Sequence, residues 1–92
     1  MAVDLELRLR RLTVDEALPK LDHYLNAAFM AGLPSVRIVH GKGTGVLRQA
    51  VHETLAEHPL VKSFRLGGCG EGDFGVTIVE LVNHKGGNLW AK

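Results

Sequence analysis

Cysteine is nearly absent from this chain of 92 residues. The single Cys69 excludes an internal disulfide and a cysteine-built metal cluster and suits a reducing compartment; among its glycine neighbours it reads as an incidental surface thiol. Long apolar runs are missing too. The uncharged stretch from Asn26 to Val36 contains Gly32 and Pro34 and falls far short of the roughly 20 residues a membrane span needs. Asp4 and Glu6 interrupt the first residues, so no signal-peptide core follows them, and the expectation is a soluble cytoplasmic protein with no membrane partner. Amide side chains are few (Asn26, Gln49, Asn83, Asn88), and no helix carries a row of base-reading groups. Any binding to nucleic acid is therefore expected to have low sequence preference.

Charge of one sign is also lacking. The formal net charge is +1, so an electrostatic case rests on where the charges sit. Their distribution is uneven. Arg37, Lys42 and Arg48 fall in a segment without acids, and Arg8, Arg10 and Arg11 crowd the N-terminal run. Asp15, Glu16, Glu53, Glu57, Glu71 and Asp73 lie elsewhere. With 46% hydrophobic residues, the length suits one small domain with a single core.

Periodicity predicts the order β-α-β-α-β-β. Leu5, Leu7 and Leu9 alternate with Glu6, Arg8 and Arg10, which has the period of a strand. Thr13 and Glu16 offer a capping box, followed by helical spacing of Val14, Leu18, Leu21, Leu25, Ala28 and Phe29 down to Gly32. Pro19 predicts a kink or an irregular first turn. Ser35 to Val39 reads as a buried central strand. Leu47, Ala50, Val51, Thr54 and Leu55 mark a second helix, with Thr44 as its N-cap and Pro59 as its stop. Val61 to Leu66 and Val76 to Val82 read as two further strands, separated by the glycine-rich "GGCGEGDFG", which is long for a hairpin and is expected to be mobile. The fold class is α/β, an α+β two-layer sandwich: a four-stranded mixed sheet with both helices on one face and the other face open to solvent or ligand. Residues from His84 onward, including Trp90, lack periodicity and read as a flexible tail over 84–92.

The segment "HGKGTGVLR", His40 to Arg48, joins the central strand to the second helix. A strand, a glycine loop and a helix make an anion site, because unpaired amides face outward and glycine permits close approach. Specific nucleotide motifs fail. Val36 and Gly43 break the P-loop pattern, and Val46 or Arg48 falls where a dinucleotide fingerprint needs its last glycine. What survives is a phosphate cradle: Lys42 supplies a point charge, Arg48 a planar fork, and His40 a group that exchanges protons near neutral pH. The same glycines fit a purely structural turn with His40 as a satisfied core residue. Pattern alone holds the two readings level; three polar functional groups on so short a loop tilt toward function. Metal spacing is absent: His52 and His58 do not share a helical face, and with His23 they read as solvated helix residues. Ser35 and Ser63 lie in no nucleophile motif.

The segments "HGKGTGVLRQAV", "AGLPSVRIVHG" and "EGDFGVTIVEL" together resemble the Smr (small MutS-related) domain family, most closely the version at the C-terminus of bacterial MutS-II proteins. The resemblance runs from about Leu7 to Leu81, and residues 1–83 are assigned to the domain. It implies a fold similar to the C-terminal domain of a bacterial translation initiation factor. It also implies nicking endonuclease activity on DNA, RNA cleavage in some members, and roles in recombination control, DNA repair or action on stalled ribosomes. The implied partners are DNA (branched DNA included), RNA or a ribosome, with the rest of a MutS-type ATPase if the chain is an excised domain.

Carried across by residue, the family's second motif falls on His40, Gly41, Lys42, Gly43, Thr44 and Gly45, with Arg48 after it. Its third, glycine-rich segment falls on Gly72, Gly75 and Thr77. The first motif, "LDLRG", falls on Leu7 to Arg11: Arg10 is kept, Arg8 stands at the acidic position and Arg11 at the glycine. Glu6, one pleat repeat from Arg8, is the local acid that could stand in. The expected catalytic set is His40 for proton transfer with Arg10 and Lys42 for charge stabilisation. Nucleic acid would be bound by Arg8, Arg10, Arg11, Gly41, Lys42, Gly43, Thr44, Gly45 and Arg48. No residue is assigned to a metal; a metal-independent route is favoured, and Mn2+ or Mg2+ stays open as a cofactor. The alternatives are a non-catalytic module that positions a larger protein on DNA, RNA or a ribosome, and a protein-interaction domain whose glycine loop is only structural.

Overall fold

Alternation in the first strand decides where everything else packs. Leu9 is fully buried and Leu7 lies against the core, while Arg8, between them, is exposed. The computed structural model describes residues 3–67 and 75–82, so the glycine-rich segment with Cys69 and Gly72, and the tail with Trp90, lie outside the described residues. Six elements follow one another: β1 (Glu6–Arg8), α1 (Val14–Met30), β2 (Ser35–Val39), α2 (Val46–Glu57), β3 (Val61–Leu66) and β4 (Val76–Leu81). The predicted order and the α+β class are observed.

The sheet runs β1-β2-β4-β3. β1 and β2 are parallel, as a crossover through α1 demands, and β4 is antiparallel to both β2 and β3. The ladder of β1 is shorter than its alternation suggests. It continues by single bonds at each end: the Arg37 N–H donates to the Leu5 carbonyl (2.8 Å) and the Leu9 N–H to the Val39 carbonyl (2.7 Å).

α1 starts where its capping box predicts. The Thr13 hydroxyl accepts from the Glu16 N–H (3.2 Å), and the Glu16 carboxylate accepts from the Thr13 N–H (3.0 Å). Pro19 sits inside a continuous helix on an exposed position. α2 begins one residue later than Thr44 predicts. Gly45 is the N-cap with φ +90°, and the Thr44 hydroxyl reaches only the Val46 N–H, at 3.4 Å. A left-handed cap selects glycine over a side-chain cap.

The core between helices and sheet joins Ala17, Leu21, Leu25 and Ala28 of α1 to Val51 and Leu55 of α2, over Val36, Ile38, Val79 and Leu81 of the strands. The opposite sheet face carries Glu6, Arg37, Ile78 and Arg65 in one register row across the strands and Arg8, Val39 and Val76 in the next. No described helix is long and apolar enough to cross a membrane.

Candidate functional site

The loop after β2 is pinned to the start of β4. The N–H groups of His40 and Gly41 both donate to the Gly75 carbonyl, at 3.0 and 2.9 Å. A Cβ on Gly75 would stand 3.4 Å from Lys42 Cγ and 3.5 Å from the Gly41 carbonyl carbon, so glycine here lets the two segments touch. At Gly45 a Cβ would meet Arg48 Nη2 at 3.0 Å, so this glycine satisfies both a left-handed φ and the seat of the guanidinium.

The loop is a wall between two clefts. On the open sheet face, about 500 Å3 is bounded by Arg10, Lys42 and Gly43 over Val39, Gly75 and Val76. On the helix side, about 280 Å3 lies between the loop, the start of α1 and the start of α2, with Arg11, Thr13, Thr44 and Arg48 in its lining. A further cleft of about 520 Å3 runs from Thr44 and Gly45 along α2 past Arg48 to His52 and Glu53. The predicted residues are thus gathered around the loop, with Arg10 on one side, Arg11 and Arg48 on the other, and Lys42 lining both clefts. Arg8 stands apart. Its Nε donates to Glu6 Oε2 at 3.1 Å on the open sheet face, so the local acid that could stand in is already paired.

Beneath the loop lies a buried polar chain. His40 is 4% exposed and Thr77 fully buried. His40 Nδ1 is 2.9 Å from the Gly41 carbonyl oxygen, His40 Nε2 is 2.8 Å from Thr77 Oγ1, and His52 Nε2 is 2.7 Å from the same hydroxyl. The two imidazoles meet edge to face, with centroids 5.9 Å apart, and the His52 ring leans on Phe64 at 5.1 Å. Burial holds both histidines below the ordinary imidazole range. For His40 the contact of its ring with the Gly41 carbonyl partly offsets this and Arg48 adds to it; for His52 the neighbouring His40 and then Arg48 lower it further.

The chain is similar to known proteins along most of its described length. The family model for the Smr domain matches residues 7–82. The chain belongs to the Smr domain family. It is 61% identical over 79 residues to Endonuclease MutS2 of Thermomicrobium roseum, covering 86% of this chain and 10% of that protein. Against Endonuclease MutS2 of Caldicellulosiruptor saccharolyticus it is 58% identical over 80 residues, covering 87% of this chain and 10% of that protein. It therefore spans about a tenth of the length of these relatives. The crystal structure of the Smr domain of Thermus thermophilus MutS2 superimposes with a TM-score of 0.82 at 49% identity, covering 84% of this chain and 96% of that one. YdaL, a stand-alone small MutS-related protein from Escherichia coli, gives a TM-score of 0.79 at 28% identity over 84% of this chain and 63% of that one.

Arg11, which the resemblance sets against the first motif's glycine, has φ +71°, in the left-handed region that favours glycine. Two expectations about histidine change. His52 is half-buried and bonded to Thr77, not solvated. The His58 side chain is 8% exposed: its Nε2–H donates to Asp22 Oδ1 (2.8 Å), and its Nδ1 accepts the Leu60 N–H (3.2 Å), tying the end of α2 to α1. His23 is exposed, as predicted. Helical spacing missed His52 because its partner lies on β4. A signal was present, though: Thr77 is polar on the strand parity that buries Val79 and Leu81, and a buried hydroxyl needs partners. Among the described residues, no group of three His, Cys, Asp or Glu side chains is placed to hold a metal ion.

Proposed function

We propose that this Smr domain binds the phosphodiester backbone of DNA with little sequence preference and nicks it, as part of a MutS-II-type protein acting in DNA repair or recombination control. The observation that carries this reading is the glycine loop with cations on both of its walls, Arg10 facing one cleft, Arg11 and Arg48 another, and Lys42 lining both. A polynucleotide backbone presents a row of phosphates, and a ridge flanked by cations can contact neighbouring ones. The N–H groups of His40 and Gly41 are taken by the Gly75 carbonyl, so amide donors for phosphate oxygens would come from the rest of the loop and the start of α2.

For cleavage, charge on the pentacoordinate phosphorus would be met by Lys42, Arg48 and the loop amides, with Arg10 on a neighbouring phosphate across the loop, and proton handling falls to the network of His40, Thr77 and His52. His40 also holds the loop through the Gly41 carbonyl. The names of the MutS2 relatives, which call them endonucleases, support the same reading.

A second reading is a non-catalytic module that positions a larger protein on DNA, RNA or a ribosome. Arg8 at the acidic position, bonded to Glu6, favours it, because no free carboxylate stands there as a base. Incubating the chain and its His40→Ala variant with supercoiled plasmid and with a structured RNA, with and without Mn2+ or Mg2+, separates the two. Nicking by wild type that is lost in His40→Ala with binding kept supports the endonuclease. Binding without nicking under every condition leaves the module.

A further inference from the structure

We propose that His52, held in one tautomer by Thr77 and His40, is the proton-exchanging residue of this site, its Nδ1 acting as the base toward water in the cleft beside Arg48. This inference rests on the nicking reading and says which member of the buried chain handles the proton.

The bonds fix the protons one by one. His40 Nδ1 faces a carbonyl oxygen, which only accepts, so Nδ1 carries the hydrogen. In the neutral ring, His40 Nε2 is then bare and accepts from the Thr77 hydroxyl. Thr77 has one hydrogen, now committed, so its oxygen accepts from His52 Nε2–H. His52 is left with a bare Nδ1.

His40 is poorly placed to take a proton from a substrate. It stands in the lining of the helix-side cleft, but the residue is 4% exposed and both ring nitrogens already have partners. No hydrogen bond is seen at His52 Nδ1 among the described residues, and His52 lines the cleft that also holds Thr44, Arg48 and Glu53. The groups around the ring are His40 at the end of β2, Arg48 and Glu53 on α2, Thr77 on β4 and Phe64 on β3. Burial, His40 and Arg48 favour the neutral ring, so a lone pair is available at neutral pH.

The step balances around water. A water oxygen forms the new bond to a phosphorus held on the helix side of the loop by Arg48 and Lys42, and its proton passes to His52 Nδ1. The phosphorus bond to the leaving sugar oxygen breaks, that oxygen takes a proton from solvent, and His52 then returns its proton to solvent. The Nε2–H donation to Thr77 persists throughout, so His40 and Thr77 are positioning residues.

The test combines imidazole proton–nitrogen correlation spectra of the 92-residue chain with nicking rates against pH. Expected are His40 as the Nδ1–H tautomer and His52 as Nε2–H, with His52 titrating below 6.5. His52→Gln should lower kcat by about 100-fold and remove the acid limb of the profile while duplex affinity is kept. Thr77→Ser should preserve tautomer and profile, and Thr77→Val should lose both. An Nδ1–H tautomer for His52, or a His52→Gln enzyme with the wild-type pH profile, overturns the assignment while nicking itself stands. A wild type that binds but never nicks overturns the nicking reading and this inference with it.

Discussion

Replacing Arg11 by glycine should stabilise the domain, although it removes a side chain and a charge. Arg11 holds φ +71° and, among the described residues, is the only non-glycine residue with positive φ. A side chain in the left-handed region costs about 1–2 kcal/mol through its Cβ. Glycine relieves that strain but loosens the unfolded chain, which offsets about 0.4–1 kcal/mol. The net expectation is about 1 kcal/mol of stabilisation, or roughly 4–8 °C in Tm for a domain of this size. Arg11 is exposed, so little packing is lost. Arg11→Ala is the control, because it removes the same charge and keeps the strain. Urea titration of the three proteins reads the difference, as a shift of about 0.3–1 M in midpoint at the slopes usual for small proteins. An Arg11→Gly midpoint at or below that of Arg11→Ala would refute the reasoning. The same substitution should weaken duplex binding, since Arg11 lines the helix-side cleft.

Gly45→Ala should destabilise the domain by about 1 kcal/mol or more, since φ is +90° and the new Cβ would press on Arg48 Nη2; weaker duplex binding should accompany the lower urea midpoint. Thr77→Val should cost about 2–4 kcal/mol, because two histidine nitrogens lose their partner; calorimetry should show Thr77→Ser close to wild type. Both His40 and His52 sit below the ordinary 6.5 in the folded state, so the unfolded chain takes up protons first as pH falls. Their stabilising contribution is present above about pH 6.5 and is lost below it, which denaturant midpoints between pH 7 and 5 can follow. Tyr24 is shifted the other way. Burial, then Asp4 and Glu6, raise its phenol from 10.0 to about 12, and the hydroxyl donates to the Asp4 carbonyl. Its contribution is complete below pH 10 and should fade toward pH 12, a loss that Tyr24→Phe should reduce.

Local chemistry made most of the fold legible. The capping box at Thr13, the alternation of Leu7 with Arg8 and the proline after His58 each act within a few residues; α1 starts at its box and α2 ends before the proline, while β1 is shorter than its alternation suggests. The start of α2 was misread because Thr44 and Gly45 both suit an N-cap, and the left-handed turn out of the loop decided for glycine. The site was legible as a loop but not as a network. His40, Lys42 and Arg48 could be gathered from one segment, whereas the bond from His52 on α2 to Thr77 on β4 joins a helix to a strand that only the packing of the two layers brings together. Arg10 and Arg11 are adjacent in sequence yet line opposite walls of the loop, which strand parity alone could not reveal beyond the end of β1.

The grip of the loop on a phosphate backbone is tested most directly by the salt dependence of binding to a non-specific DNA duplex, for wild type, Lys42→Ala and Arg10→Ala. Affinity should fall steeply with salt for wild type. Each substitution should weaken binding about equally on unrelated sequences and lower the slope of log affinity against log salt by about one unit. No measurable affinity for DNA or RNA at low salt, or variants with the wild-type slope, would contradict it.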